Sequence, residues 1–203
     1  MPEQHADMRL LASYGRRRGR KLRPGKQALV ETLLPEIAVT LPAQGMLDLR
    51  ALFPKQETVW LEIGFGGGEH LTHQALHHPD VGIIGCEPYI NAIAALLTHS
   101  RDHKLSNIRI YNEDARRLMA CLPDASIARV FMLYPDPWPK ARHYKRRLVS
   151  HDTLDILARV MRPGAELRLA TDDEAYCTWM LEQALSHSQF TWTAKGCGDW
   201  LKP

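Results

Sequence analysis

Seven residues, Tyr134-Pro135-Asp136-Pro137-Trp138-Pro139-Lys140, place one carboxylate and one indole on a backbone stiffened by prolines. Ala141-Arg142-His143-Tyr144-Lys145-Arg146-Arg147 follows at once, so five permanent cations fall within eight residues. Proline lacks a ladder donor and restricts the residue before it. The apolar run Ile127 to Leu133 therefore reads as a buried strand that ends at a stiff elbow. A fixed acid, a flat stacking surface and a cationic collar suit a polyanion that presents a planar base. The plainer alternative is a proline-rich turn with a solvated basic face.

A second motif, Glu62-Ile63-Gly64-Phe65-Gly66-Gly67-Gly68-Glu69, ends the strand-like run from Thr58 and opens a helix-like run. Gly64 and Gly66 let the chain turn sharply and let a ligand lie against the backbone. A dinucleotide fingerprint needs its third glycine three residues after the second, and position 69 is Glu. Glu62 and Glu69 would oppose a pyrophosphate. An acid just before the first glycine better suits a ligand with positive charge near the loop, such as the sulfonium and ammonium of S-adenosylmethionine. Two further carboxylates fall at the ends of the next strand-like runs. Glu87 follows Val81–Cys86, where it would accept from two ribose hydroxyls; Asp114 follows Asn107–Tyr111, where it would accept from an adenine amino group. Either acid taken alone reads as a surface residue or a helix cap. Their shared placement at successive strand ends is the ligand-binding edge of an open α/β sheet.

These residues together resemble the tRNA (guanine-N7-)-methyltransferases, bacterial enzymes that methylate a guanine in the variable loop of tRNA. The resemblance rests on Glu62-Ile63-Gly64-Phe65-Gly66, Gly85-Cys86-Glu87-Pro88-Tyr89, the proline elbow with Arg142-His143 and Lys145-Arg146-Arg147, and Ala170-Thr171-Asp172-Asp173. It spans about residues 15 to 195. The glycine motif is generic to class I methyltransferases; the proline-Asp-Trp-Lys segment is specific to this family. The resemblance implies that Glu62, Glu87 and Asp114 contact the S-adenosylmethionine cofactor. It likewise makes Asp136 the active-site acid and has Lys140 and Asp172 contact the RNA. The family also carries a Thr-Arg-Tyr-Glu segment near its C-terminus, which this sequence lacks.

These positions need a scaffold of alternating strands and helices. Strands are expected at 58–63, 81–86, 107–111, 127–133, 165–170 and 190–193. Helices are expected at 27–37, 69–77, 90–101, 115–121, 151–161 and 173–186, with a Pro163-Gly164 turn before the fifth strand. The alternation implies a doubly wound, mostly parallel sheet of the Rossmann-like class I methyltransferase kind. Residues 27–203 read as a single domain, truncated at the C-terminus because no antiparallel seventh strand can be found. Residues 1–26 read as a mobile basic tail, since Arg16, Arg17, Arg18, Arg20, Lys21, Arg23 and Lys26 repel one another.

Composition narrows the class without deciding it. Hydrophobic residues at 45% and charged residues at 24% are those of a soluble globular chain. No apolar run approaches a membrane span, and the N-terminus has no signal-peptide core. Cys86, Cys121, Cys177 and Cys197 form no C-x-x-C pair, which fits reduced thiols in a cytoplasm and no metal site. Net charge is only +3, but the cations gather in the tail and after Trp138, leaving the glycine-loop region acidic. That split fits a cationic cofactor in an acidic cleft and tRNA on a basic rim.

The chemistry needs little more than positioning, because guanine N7 carries a lone pair and no proton at neutral pH. Asp136 would accept from the guanine N1–H and N2–H₂ edge, and Lys140 would pair with a phosphate. Three rival functions remain open to the sequence. One is a nicotinamide-dependent oxidoreductase, opposed by the missing fingerprint glycine. The others are a methyltransferase with another RNA or protein acceptor, and a non-catalytic RNA-binding module with a vestigial cofactor pocket.

Overall fold

The computed structural model describes residues 16–200. Five strands form one sheet: β1 (Thr58–Ile63), β2 (Val81–Cys86), β3 (Ile108–Tyr111), β4 (Ile127–Leu133) and β5 (Met161–Ala170). Their order is β3-β2-β1-β4-β5, and every pairing is parallel. Parallel neighbours require crossovers, which the helices lying between successive strands supply. Eight α-helices are described in all. They are α1 (Pro24–Thr32), α2 (Leu34–Ile37), α3 (Leu49–Leu52), α4 (Glu69–His77), α5 (Ile90–His103), α6 (Ala115–Cys121), α7 (His151–Val160) and α8 (Glu174–Ser186).

Strand periodicity divides the core in two. On β1, Val59, Leu61 and Ile63 face α6, α7 and α8, where Leu118, Leu157 and Tyr176 are buried. Trp60 faces the other way, toward Leu71 of α4 and Leu96 of α5. Because side chains alternate along a strand, Glu62 must also fall on the α4 side. β2 is buried at every position, as expected for an inner parallel strand covered on both faces.

Most boundaries fall where the periodicity placed them. The single helix expected over 27–37 is instead α1 and α2; Pro35 near the start of α2 lacks the N–H that a continuous helix would need there. α5 runs on to His103 and stops where Lys104 turns left-handed at φ 53°. The Pro163-Gly164 turn lies inside β5 as a bulge: Met161 pairs with Ile127, but Glu166 pairs with Arg129. The strand expected at 190–193 is not formed. A strand needs a neighbouring edge for its backbone groups. Here the Phe190 N–H instead donates to the His187 carbonyl at 3.1 Å, and the Phe190 ring lies 5.2 Å from the His187 ring.

The expected basic tail is described from Arg16 onward. Its backbone lies against the start of α5: the Arg17 carbonyl accepts from Ile90 N–H at 3.1 Å. Asn91 accepts from Gly19 N–H and donates to the Arg20 carbonyl. Among the described residues no helix is long and apolar enough to cross a membrane.

Candidate active site

All five strands deliver their carboxyl ends to one edge, and a residue singled out in the sequence follows each of them. Gly64 follows β1, Glu87 follows β2, Asp114 lies beyond β3, Asp136 follows β4 and Asp172 follows β5. The strand order reverses between β1 and β4, which is where open α/β sheets form their binding crevice. A cavity of about 500 Å³ opens at this edge, lined among others by Gly64, Gly66, Glu87, Asp114, Asp136 and Trp138. Its size suits a small-molecule ligand.

The glycine loop forms one wall. Gly64, Gly66 and Gly68 have φ of 76°, 54° and 85°, a region that favours glycine. The loop and the β2 end are tied together through Glu87. One Glu87 oxygen accepts from Gly66 N–H at 3.1 Å, and the other accepts from Tyr89 N–H at 3.0 Å. Each oxygen keeps a lone pair for a hydroxyl donor. Burial raises the Glu87 carboxyl pKa above its ordinary value; the two backbone bonds oppose that rise, and the charge of Asp136 adds to it. The two carboxylates therefore sense each other across the cavity.

Glu62 does not line this cavity. It is 2% exposed and sits on the α4 face, where its carboxylate meets His70 Nδ1 at 2.8 Å. Asp114 lines the cavity while capping α6. It accepts from Arg116 N–H at 3.0 Å and from the Arg116 guanidinium at 2.9 and 2.6 Å. Burial works to raise the Asp114 carboxyl, but the Arg116 hydrogen bonds and the charges of Arg116 and Arg117 outweigh it and hold the pKa below the usual range. The Cys86 thiol, also in the lining, is pushed far up by burial and then by the charges of Asp114 and Glu87. It stays protonated and is no nucleophile.

The proline elbow forms the opposite wall. Tyr134 continues the sheet by donating its N–H to the Ala170 carbonyl at 2.8 Å. It then turns left-handed at φ 52°, and Trp138 does the same at φ 45°. Bulky residues are strained in that region, and such strain persists only where surrounding structure enforces it. Between them the exposed Asp136 reaches the cavity. Trp138 is half-buried against His143, ring centroids 5.7 Å apart, with the Arg146 guanidinium 4.9 Å from its ring. Burial and the neighbouring cations Arg146, Arg142 and Lys140 lower the His143 pKa. Lys140 and Asp172 are exposed at the same sheet edge but outside the cavity lining. The expected basic collar divides: Lys140, Arg142 and Lys145 are exposed, whereas Arg147 is buried.

Comparison with known proteins agrees with this geometry. Residues 56–199 match the sequence model of a family described as "Putative methyltransferase". A tRNA (guanine-N(7)-)-methyltransferase from Ruegeria sp. (strain TM1040) is 48% identical over 196 residues, covering 94% of this chain and 76% of that protein. One from Chelativorans sp. (strain BNC1) is 44% identical, covering 100% of this chain and 88% of that protein. The chain belongs to the tRNA (guanine-N(7)-)-methyltransferase family. Among solved structures, a precorrin-6y C5,15-methyltransferase from Geobacter metallireducens GS-15 aligns with a TM-score of 0.53 at 16% identity, covering 66% of this chain and 64% of that one. An rRNA methylase from Streptococcus thermophilus aligns with a TM-score of 0.50 at 12% identity, covering 66% and 73%. At such identities these two show the shared Rossmann-like fold alone.

In this family member the structure adds residues that sequence reasoning passed over. Tyr134, 67% exposed and in the cavity lining, offers an aromatic face beside Asp136; its signal was an aromatic directly before the first proline. Arg116 had a weaker signal, two residues beyond Asp114. Arg16 also lines the cavity, and nothing in its run of arginines distinguishes it. Among the described residues no group of three His, Cys, Asp or Glu is placed to hold a metal ion.

Proposed function

We propose that this protein transfers a methyl group from S-adenosylmethionine to N7 of a guanine in the variable loop of tRNA, in the cytoplasm where that RNA works. The observation that carries the reading is the convergence of Glu87 and Asp136 on one cavity from opposite sides of the sheet's switch point, with exposed cations at its rim. The residues fit the cofactor. Glu87 has both oxygens pre-oriented by backbone donors and lone pairs left for ribose hydroxyls. Gly64 and Gly66 leave the loop without side chains against the cavity. Asp114, held ionised by Arg116, faces the same space as an acceptor for an adenine amino group. Glu62 ties the end of β1 to the first turn of α4 through His70. S-adenosylmethionine supplies a methyl group on a sulfonium whose sulfur leaves with the carbon–sulfur electron pair.

The chain's own task is orientation and charge. Guanine N7 attacks through a lone pair, so no proton has to leave that atom, and the ring becomes cationic as the bond forms. Asp136 accepts from the N1–H and N2–H₂ edge, which aims N7 and offsets the developing positive charge. Tyr134 gives the base a face to stack on. Lys140 pairs with a phosphate, and Asp172 binds a substrate amino or ribose group. Cys86 takes no part, because its thiol stays protonated.

Asp136→Asn tests this reading, since the amide keeps the shape and replaces one acceptor oxygen by a donor. Single-turnover methylation should fall by about a hundredfold or more, while tRNA and cofactor still bind. A near-normal single-turnover rate would make the acid a structural part of the elbow.

A further inference from the structure

Arg147 ends the basic collar, yet it behaves unlike its neighbours. Only 5% of its surface is exposed. Its guanidinium carbon lies 3.8 Å from the Tyr144 ring centroid, 4.8 Å from Trp179 and 5.2 Å from Tyr176. Those rings are themselves pinned. Trp179 Nε1 donates to the Val149 carbonyl at 2.8 Å, and the Tyr176 hydroxyl accepts from Val149 N–H at 3.3 Å. Among the described residues no carboxylate lies within ion-pair distance of Arg147, so the aromatic faces are what balance its charge. Among the described residues, its guanidinium is hydrogen-bonded back to the elbow: Nε donates to the Pro137 carbonyl at 2.9 Å.

That carbonyl belongs to the residue after Asp136 and precedes Trp138, one of the elbow's two left-handed residues. A strained segment relaxes unless something holds it. Other restraints act at the ends of the segment: Tyr134 N–H is fixed to β5 at one end, and the Trp138 ring packs on Arg146 and His143 at the other. Arg147 and Asp136 also act in opposite directions on the Tyr176 phenol, whose pKa burial raises; this places both charges near one ring. Arginine alone among the cations combines a fixed planar fork with a face that stacks on aromatic rings.

We propose that Arg147 is a positioning residue for Asp136: boxed by Tyr144, Tyr176 and Trp179, it clamps the Pro137 carbonyl and thereby holds the Asp136 carboxylate at its working angle over the cavity. It does not contact phosphate. The elbow is thus fixed from α8, an element that supplies no residue to the cavity lining. The inference rests on the methyl-transfer reading, but its physical part, the clamp, can be measured without activity.

The test compares Arg147→Lys and Tyr144→Leu with the wild-type chain. Lysine keeps the charge and loses both the Nε fork and the stacking face; Tyr144→Leu opens the box from its exposed side and leaves Arg147 in place. Both should lower single-turnover kcat by about tenfold to a hundredfold, with the KM for tRNA and its salt dependence within about twofold of wild type. Amide hydrogen exchange over residues 134–146 should speed up in both, while β1 and β2 keep wild-type protection. If Arg147→Lys does not fold, Tyr144→Leu decides. If the wild-type chain shows no methyl transfer, the functional reading fails, and exchange at the elbow still judges the clamp. Unchanged kcat with unchanged elbow exchange overturns the proposal. A rise in tRNA KM with a flatter salt slope and intact kcat also overturns it, because Arg147 would then be a phosphate contact.

Discussion

Glu87 is the residue with the most explicit physical prediction. Its two oxygens are oriented by Gly66 and Tyr89, and its pKa is raised, chiefly by burial. Accepting two ribose hydroxyls requires the ionised form. A carboxyl with a raised pKa loses that form earlier as pH falls, so cofactor affinity should decline through a limb lying above the ordinary carboxylate range of about 4.5. Calorimetric titration across pH should show this limb in the wild type and lose it in Glu87→Gln. Asp114 has the opposite sign. Its pKa is depressed, so the stability it contributes is present above its unfolded pKa and is lost only as pH falls through the lower folded value. Asp114→Asn should therefore flatten the acid end of the stability curve and leave the neutral end lower. Glu87→Ala should weaken cofactor binding by about 1.5–3 kcal/mol, the worth of a hydrogen bond to a charged acceptor. Wild-type affinity in that variant would remove Glu87 from the cofactor site.

At this scale the sequence was legible where type and strand-end position sufficed. Glu87, Asp114 and Asp136 all reach the cavity. Glu62 did not follow, because the alternation of β1 turns it toward His70; the acid-before-glycine pattern names a position and not a direction. Arg147 looked like one more surface cation because the rings that bury it come partly from α8, far along the chain.

Among the elements, the glycine loop and α4 depend on one close contact. Gly68 caps α4 at φ 85°, and a β-carbon there would lie 2.8 Å from the Leu96 side chain of α5. Gly68→Ala combines a left-handed alanine with overpacking against a fully buried leucine, and should cost about 2–4 kcal/mol of stability. Urea unfolding would show this as a lower midpoint, and a wild-type midpoint would mean that α5 yields easily. The elements themselves were largely readable, since buried parallel strands and amphipathic helices alternate with clear Gly and Pro punctuation. Two failures share a cause. Neither the bulge in β5 nor the missing strand at 190–193 is decided locally: one depends on the register against β4, the other on whether an edge is there to pair with.

Across the whole molecule, charge is divided rather than large. With a net charge of +3, long-range attraction to RNA must come from local clusters. Lys140, Arg142 and Lys145 are the exposed cations next to the elbow. Reversing all three to Glu should weaken tRNA binding regardless of sequence and reduce the salt slope by roughly 0.7–0.9 per lost phosphate contact. Cofactor affinity should stay as it was. An unaltered slope would make the collar a solvated face.

The identity of the methylated atom separates this function from its rivals most directly. The purified chain should be incubated with unmodified bulk tRNA and S-adenosylmethionine carrying a labelled methyl group, and the RNA then digested to nucleosides. The label is predicted to appear in 7-methylguanosine and to disappear in Asp136→Asn. Label in a methylated adenosine, or in protein, would contradict the claim, and so would no label at all with the cofactor demonstrably bound.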